Sequence, residues 1–273
     1  MSRFQVQVLD EISAFGIRLA SEVREIQLGA TAPSHWGNQN MEFEEPLLEG
    51  KLIRRSHKFS AEVKLRNGEE ITAHCAHGGE MEGLSDPGNK VLLSQVSDPR
   101  RKFQHQLEII YSGKTAVGIH GGRPLTVVGE AILKGKIPEL AGYAQLKRIP
   151  RSQQHSRVDM VLEGNGLRSS HLIVESVTHK EDETALFPDS KYTQGIEEAR
   201  YLTSLVREGH RGVIVFVAQR GDVESFKLAT EMDPDYCEAL RDAIERGVEA
   251  LCVRAQVTKT GIVFDKLIPI IID

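Results

Sequence analysis

The sequence predicts a protein of two domains, a small all-β barrel followed by an α/β domain. The chain has 273 residues, more than the roughly 100–200 residues typical of a single domain. Between residues 47 and 119 the apolar residues follow the pattern of about five short strands, and after Pro124 helix-like and strand-like segments alternate. We therefore expect the barrel at residues 41–122, the α/β domain at residues 123–273 and an N-terminal extension at residues 1–40.

The N-terminal extension has the weakest pattern. Apolar residues recur at helical spacing from Val8 to Ile26, and an irregular stretch from Ala32 to Asn38 follows. These features predict a helical appendage to the two domains.

The clearest local prediction is a β-hairpin in the barrel. From Phe59 to Arg66 apolar and polar residues alternate with a period of two, and a second strand follows from Ile71 to Cys75. Asn67-Gly68 between them is typical of a two-residue type I′ turn, in which both residues have positive φ. Further strands are predicted at residues 91–93, 107–111 and 116–119, which together favour a small closed barrel.

The second half of the sequence predicts a sheet covered by helices. The run from Gly212 to Ala218 is apolar on both faces, as in the central strand of a covered sheet. Apolar residues at helical spacing predict two helices, which end at Gly135 and at Gly209, and Asp233-Pro234 begins a third. Strands are predicted at residues 157–162 and 172–174, and residues 251–255 are predicted to close the sheet.

The composition excludes several classes of protein. Hydrophobic residues make up 40% and charged residues 27%, as in ordinary globular proteins, and no apolar run approaches the roughly 18–20 residues that cross a membrane. The N-terminus lacks the basic start and apolar block of a signal peptide, and three cysteines are too few for a disulfide framework. We therefore expect a soluble cytoplasmic protein without a membrane partner.

Positive charge is concentrated in two short segments, although the formal net charge is −5. Between residues 51 and 66 a single acid, Glu62, interrupts the basic residues. Because lysine and arginine on a strand face displace the counterions of a nucleic acid, the clusters favour DNA binding through backbone phosphates. The alternative is a solvated strand face. The candidate DNA-binding residues are Lys51, Arg54, Arg55, Lys58, Lys64, Arg66, Arg100, Arg101 and Lys102.

Eight short motifs resemble the sugar fermentation stimulation protein family, in the same order and at similar spacing along residues 41–273. They are Gly50–Arg55, Thr72–Cys75, Gly83–Gly88, Arg101-Lys102, Ile137–Tyr143, Ser156–Asp159, Phe187–Asp189 and Glu208–Arg211.

The resemblance implies an OB-like barrel joined to a C-terminal domain of the restriction-endonuclease-like fold. It also implies DNA binding without sequence preference and a link to sugar metabolism. Family members begin near the position of Met41, so residues 1–40 have no counterpart, and a wrongly assigned upstream start is one interpretation of that segment.

The restriction-endonuclease-like fold implies a nuclease site with acidic metal ligands and a lysine that assists the attacking water. Asp159 and Glu175 stand at the expected strand positions, as catalytic candidates and Mg²⁺ ligands. The family pattern Val-Glu-Val-Lys is here shortened after Glu175, which we interpret as loss of the Val-Lys pair. Lys180 would have to reach the site from another direction. Ile149 stands where the family commonly has a glutamate as a third ligand.

The helix after Phe187–Asp189 departs from the family in the same direction. Where family members have basic residues and a histidine, this chain has Gln194, Glu197 and Glu198, and carboxylates there would repel phosphate. We therefore predict a degenerate nuclease site.

Histidine-containing motifs near the two glycine pairs have more than one interpretation. His77-Gly78-Gly79 and His120-Gly121-Gly122 predict either tight turns or backbone sites for a phosphate. His74, Cys75 and His77 suggest half of a zinc site, but no second pair of ligands stands at zinc spacing.

Three functional hypotheses follow. The favoured one is a sequence-nonspecific DNA-binding protein, regulatory in sugar metabolism, with a degenerate nuclease-like site. The alternatives are a DNA nuclease that uses Mg²⁺, the one cofactor candidate, and a partner-binding scaffold that does not bind DNA. The missing lysine and Ile149 favour the first hypothesis over the nuclease, and the basic strand faces favour it over the scaffold.

Overall fold

The computed structural model of the chain describes residues 24–27, 41–149 and 157–271. A β-barrel is followed by an α/β domain, as the sequence predicts. The described helices are α1 (Arg123–Leu133), α2 (Thr193–Arg207) and α3 (Pro234–Glu245), with a short 3-10 helix at Pro138–Leu140. The described strands are β1 (Arg24–Gln27), β2 (Leu48–His57), β3 (Ser60–Leu65), β4 (Glu70–His74), β5 (Lys90–Gln95), β6 (His105–Ser112), β7 (Thr115–Gly118), β8 (Gln145–Arg148), β9 (Met160–Glu163), β10 (Ser170–Val177), β11 (His179–Glu181), β12 (Thr184–Phe187), β13 (Arg211–Ala218), β14 (Ser225–Leu228), β15 (Glu249–Val257), β16 (Ile262–Leu267) and β17 (Ile270–Ile271).

Five strands, β2 to β6, form the closed barrel. Neighbours in the order β4-β3-β2-β5-β6 are antiparallel, and a pairing of His74 on β4 with Gln106 on β6 closes the ring. Along β3 the side chains alternate as predicted, since Ala61 and Val63 are buried in the barrel core and Lys64 is exposed. Closure removes the free strand edges that a small open sheet would expose.

The β3–β4 hairpin has the predicted strands but a different turn. Gly68 has a φ of +90°, whereas Asn67 is not among the described non-glycine residues with positive φ, so the type I′ prediction is wrong. The N–H of Gly68 donates to the carbonyl of Leu65, whose own N–H donates to the carbonyl of Glu69. This pattern is a three-residue loop, a type I turn followed by a left-handed glycine, which requires positive φ at one residue only.

A seven-stranded mixed sheet forms the centre of the α/β domain. Its order is β1-β8-β9-β10-β13-β15-β16, in which β10, β13 and β15 are parallel. Helix α1 packs on one face, and α2 and α3 pack on the other, so that the central strand β13 is buried on both sides as predicted. A small second sheet has the order β11-β12-β14-β17. None of the described helices has the length and apolar character needed to span a membrane.

The sheet extends beyond its predicted edges. Strand β16 pairs outside β15, so residues 251–255 do not close the sheet, and β1 pairs with β8 at the opposite edge. Ile26 therefore lies on a strand instead of a helix, while the rest of that helical pattern, from Val8 to Val23, lies outside the described residues. The partner of β1 is far away in the sequence, whereas β16 follows β15 directly, and the apolar pattern of each edge strand is too weak to predict its pairing.

An ion pair between a buried carboxylate and a half-buried arginine joins the two domains. Glu108 on β6 is fully buried and accepts hydrogen bonds from Arg123 at the start of α1, at 2.5 Å from Nη2 and 3.0 Å from Nε. Ser94 donates to the same carboxylate at 2.8 Å. The N–H of Gly118 on β7 also donates to the carbonyl of Gln219 at 2.8 Å. These interactions fix the barrel against the sheet and set the position of the cavity between them.

Candidate functional site

A cavity of about 820 Å³ lies between the barrel and the α/β domain. The barrel contributes Lys58 and residues 76–79, and the α/β domain contributes the ends of β8 and β9, the middle of β10 and residues 187–194. Both predicted acids, Asp159 and Glu175, line this cavity, as do glycines of both histidine-glycine-glycine motifs. A cavity of this size is in the range that holds a nucleotide or another small ligand.

Asp159 has a clear role in the sheet itself. Its N–H donates to the carbonyl of Leu172 at 2.8 Å, and its own carbonyl accepts from the N–H of Ile149 at 2.9 Å. Its buried carboxylate accepts from the N–H of Val174 through Oδ2, also at 2.9 Å. The side chain thus continues the hydrogen bonding of β10 beyond the point where backbone pairing with β9 stops.

Glu175 shares a hydrogen-bond donor with a second buried acid. The hydroxyl of Tyr192 lies 2.7 Å from Oε1 of Glu175 and 3.0 Å from Oε2 of Glu198. Burial, and then the two nearby carboxylates, raise the pKa of Tyr192 far above its ordinary value. The phenol therefore keeps its proton and donates it, which lowers the cost of burying two carboxylates side by side.

An apolar residue, Val177, occupies the position where the family has its lysine. Val177 follows Glu175 by two residues on the same strand face and is buried in the hydrophobic core. Lys180 lies on β11, where its ammonium contacts Oδ2 of Asp222 at 3.0 Å and the carbonyl of Asp182 at 2.8 Å. It does not line the cavity. Ile149 does line it, and its half-buried side chain packs against the core.

The three α2 residues that depart from the family have different environments. Glu197 is exposed and lies 2.5 Å from Nη1 of Arg157. Gln194 donates to Oε1 of Glu198 at 2.6 Å. The charge of Glu197 is therefore balanced locally, and Glu198 is part of the buried Tyr192 network.

These residues supply fewer oxygen ligands than a catalytic divalent cation usually takes. Mg²⁺ takes near-octahedral oxygen ligands, and Ile149 offers no oxygen where the family commonly has a third ligand, although Asp159 and Glu175 keep lone pairs beyond the hydrogen bonds at Oδ2 and Oε1. Within the part of the chain that the structure describes, no group of three or more His, Cys, Asp or Glu side chains is arranged to hold a metal ion. Within the same residues, His74, Cys75 and His77 are not part of such a group; His74 contacts Gln106 and His77 contacts Asp189.

The two glycine pairs allow neighbouring segments to pack closely at the cavity wall. Nε2 of His77 lies 2.8 Å from Oδ2 of Asp189, whose pKa burial would raise but the hydrogen bond with His77 lowers. A Cβ on Gly79 would stand 1.8 Å from Oδ1 of the same carboxylate, so only glycine fits. The N–H of Gly121 donates to the carbonyl of Ala76 at 3.0 Å. The second motif forms a tight turn, in which the N–H of Arg123 donates to the carbonyl of His120 at 3.0 Å, whereas the glycines of the first motif allow a close approach to the other domain.

The predicted DNA-binding residues lie on the barrel and differ in their partners. All are exposed except Arg55, which is half-buried. Exposed ion pairs are worth about 0–1 kcal/mol, so residues in them stay available to a competing anion. Such pairs join Arg54 to Glu62, Lys64 to Glu70, Arg66 to Glu49 and Arg100 to Asp98, whereas Lys51, Lys58, Arg101 and Lys102 have no ion-pair partner among the described residues.

Three lysines form a row across neighbouring strands of the barrel. Lys51 on β2 stands directly opposite Lys64 on β3 and Lys90 on β5. We call these three residues the lysine row. Like charges directly opposite each other on a sheet are unfavourable. Lys64 lies 3.7 Å from Glu70 and Lys90 lies 3.3 Å from Glu49, in weak ion pairs that leave the lysines available to a competing anion.

Arg55 has a different role from the lysine row. Its guanidinium donates to three carbonyls, those of Lys58 and Gly79 at 2.6 Å and that of His77 at 2.8 Å. Arg55 thus fixes the tip of the β2–β3 hairpin to the loop at the cavity wall.

Sequence reasoning missed Lys90, Tyr192 and the role of Arg55. Lys90 follows the predicted Asp86–Asn89 turn and precedes a predicted strand, but its place beside Lys51 depends on the register between β2 and β5. Tyr192 and the carbonyls around Arg55 carry no local pattern at all. A register assigned from the alternating residues of β2 and β5 would have found the lysine row.

Comparison with known proteins gives matches to both halves of the chain. Residues 122–261 match the model described as "Sugar fermentation stimulation protein RE domain", and residues 53–119 match the model described as "SfsA N-terminal OB domain". A sugar fermentation stimulation protein homolog of Citrifermentans bemidjiense is 40% identical over 233 residues, 85% of this chain and 100% of the relative. One from Brucella melitensis biotype 1 is 39% identical over 231 residues, 84% of this chain and 97% of the relative.

A solved structure has the same fold. The SfsA protein of Pyrococcus furiosus, solved in complex with Ca²⁺, superposes with a TM-score of 0.76 at 23% identity, covering 86% of this chain and 100% of that chain. The predicted arrangement, an OB barrel followed by an α/β domain, is thus confirmed.

Proposed function

The chain belongs to the sugar fermentation stimulation protein family, and from this premise we propose that it binds DNA without sequence preference and does not cleave it. The lysine row carries the proposal. Three ammonium groups on adjacent strands offer a line of positive charge to a phosphate backbone, and such interactions do not distinguish sequences.

The remaining exposed basic residues extend this surface along the barrel. Lys58 connects it to the cavity, and Arg101 and Lys102 lie in the loop between β5 and β6. Arg55 is left out, because its guanidinium already binds three carbonyls. Binding without cleavage is also what a regulatory role in sugar metabolism requires.

A Mg²⁺-dependent nuclease is the second candidate function. It is favoured by one observation, that Asp159 and Glu175 line the same cavity. The apolar side chains of Val177 and Ile149, at the positions of the lysine and the third ligand, count against it.

The test of the proposal is a titration with fluorescent duplex DNA at several salt concentrations. Changing the lysine row to alanine should weaken binding to all sequences alike. The slope of log affinity against log salt should fall by about 0.9 for each phosphate that the variant no longer neutralises.

The matched control is Lys136→Ala, Lys227→Ala and Lys266→Ala, which removes the same charge from the α/β domain and should leave the slope almost unchanged. Equal slopes for the wild type and the folded lysine-row variant would remove this surface from the proposal. A wild-type protein that binds no DNA would refute DNA binding and leave the scaffold hypothesis.

A further inference from the structure

Phe59 is an exposed aromatic residue next to the cavity. Its side chain is 52% exposed, one of only three large apolar side chains so exposed among the described residues. It lies at the tip of the β2–β3 hairpin, directly after Lys58, whose side chain lines the cavity.

The tip is held in place by specific hydrogen bonds. Arg55 binds the carbonyl of Lys58 and the carbonyls of the loop at residues 77–79, and His77 in that loop binds Asp189 of the α/β domain. The carbonyl of Phe59 accepts from the N–H of Cys75 at 3.0 Å. The backbone of Phe59 is therefore held in place next to Lys58, which lines the cavity, and a fixed backbone favours binding because less of the tip has to become ordered.

Lys58 and Phe59 together match the two ends of one nucleotide. The ammonium of Lys58 lies over one face of the Phe59 ring, 5.9 Å from its centroid, so a base would stack on the other face with the cation nearby. A nucleotide has a phosphate and a base at a comparable separation. The second pair of this kind, Lys102 and Phe103, differs because the half-buried ring of Phe103 already stacks on His74 at 6.3 Å.

The charges of the cavity indicate where a strand would run. The exposed cations Lys58 and Lys191 line it together with the buried acids Asp159 and Glu175. The acids repel phosphate, so a DNA backbone is kept beside the exposed cations and outside the interior.

We propose that the Lys58–Phe59 tip binds an unpaired nucleotide of DNA, with its base stacked on Phe59 and its phosphate at Lys58. This inference rests on the proposed DNA binding and adds a substrate class to it. Bases inside a blunt duplex are stacked on each other and do not offer a free face to Phe59. The protein therefore prefers DNA with a single-stranded overhang to blunt duplex DNA.

The experiment compares a blunt duplex with the same duplex carrying a three-nucleotide overhang, at one salt concentration. Stacking of one base on an aromatic side chain typically contributes about 5- to 150-fold in affinity. We expect wild-type protein to bind the overhang duplex at least about fivefold more tightly. Phe59→Ala should lose this preference and keep its affinity for the blunt duplex, while Phe59→Trp should retain the preference.

The matched control is Leu167→Ala, which removes another exposed apolar side chain from the α/β domain, 48% exposed, and should change neither affinity. A 2-aminopurine base in the overhang gives a second readout, because its fluorescence falls when it stacks on Phe59. Equal binding of the two duplexes, or a preference that survives Phe59→Ala, would overturn the inference and leave the proposed function intact. Absence of binding to every duplex would overturn both.

Discussion

At the scale of single residues, Tyr192 is a hydrogen-bond donor shared by two buried acids. Its hydroxyl contacts both Glu175 and Glu198, so that one donor serves two carboxylates. A buried carboxylate that loses one of its hydrogen bonds still bears the cost of leaving water and has less to compensate for it. The network therefore contributes to stability whether or not the cavity has a catalytic role.

We expect Tyr192→Phe to lower the free energy of unfolding by about 1–3 kcal/mol, the usual cost of an unsatisfied buried polar group. Urea denaturation at neutral pH measures the change. Tyr201→Phe on the same helix is the control, because Tyr201 is half-buried and makes no hydrogen bond through its hydroxyl within the described part of the chain. A Tyr192→Phe variant as stable as the control variant would show that the carboxylates do not need this donor.

The sequence shows which residues form the site only where they match a family pattern. Asp159 and Glu175 line one cavity, in agreement with a pattern that assigns both to the same site. The hydrogen bonds of Asp159 to β10 and of Tyr192 to Glu175 could not be predicted, since they depend on side-chain packing between segments far apart in the chain.

At the scale of elements, strand β10 determines whether the cavity could support catalysis. It pairs with β13 over its whole length, from Ser170 opposite Arg211 to Val177 opposite Ala218. An insertion of two residues keeps the alternation of side chains between the two faces. The strand is therefore the place where the missing lysine can be restored.

We expect the wild-type protein not to nick plasmid DNA with Mg²⁺ or Mn²⁺. Inserting Val-Lys after Glu175, together with Ile149→Glu, restores a cation and a third oxygen ligand, and we expect metal-dependent nicking to appear. One such electrostatic interaction is typically worth about 10²–10³ in rate. Plasmid relaxation on agarose gels measures the activity.

The control for the restored site is the same variant with Asp159→Ala, which should be inactive. Circular dichroism establishes that each variant is folded. Nicking by wild-type protein that disappears in Asp159→Ala would instead support the nuclease hypothesis.

The elements themselves are predictable to different degrees, for physical reasons. The β3–β4 hairpin, β13 and α2 have strong local periods and lie where the sequence indicates. The edge strands β1 and β16 escape prediction, because a strand that has one neighbour and a partly exposed face leaves a weak apolar pattern.

At the scale of the whole molecule, the Glu108–Arg123 ion pair makes the two domains one unit. The carboxylate is fully buried, and the guanidinium comes from the first residue of the other domain's helix. Removing one partner of a buried pair leaves an uncompensated charge, which is more costly than removing both.

We expect Arg123→Met to lower the free energy of unfolding by about 3–5 kcal/mol. The double variant with Glu108→Gln should be less destabilised, because the buried charge is then gone. Urea denaturation followed by circular dichroism measures both, and Arg207→Met, an exposed arginine on α2, is the matched control. A decrease below about 1 kcal/mol in Arg123→Met would contradict a structural role for the pair.

The short strand β1 has a consequence for how copies of the protein behave toward each other. Residues Arg24–Gln27 pair with Gln145–Arg148 and form the outermost strand at one edge of the seven-stranded sheet. Without them, β8 would present unpaired N–H and C=O groups, a template onto which a strand of another molecule can add. We therefore expect a shortened chain that starts after residue 27 to keep its fold. Unlike the full chain, it should self-associate through the exposed edge of β8 at high concentration.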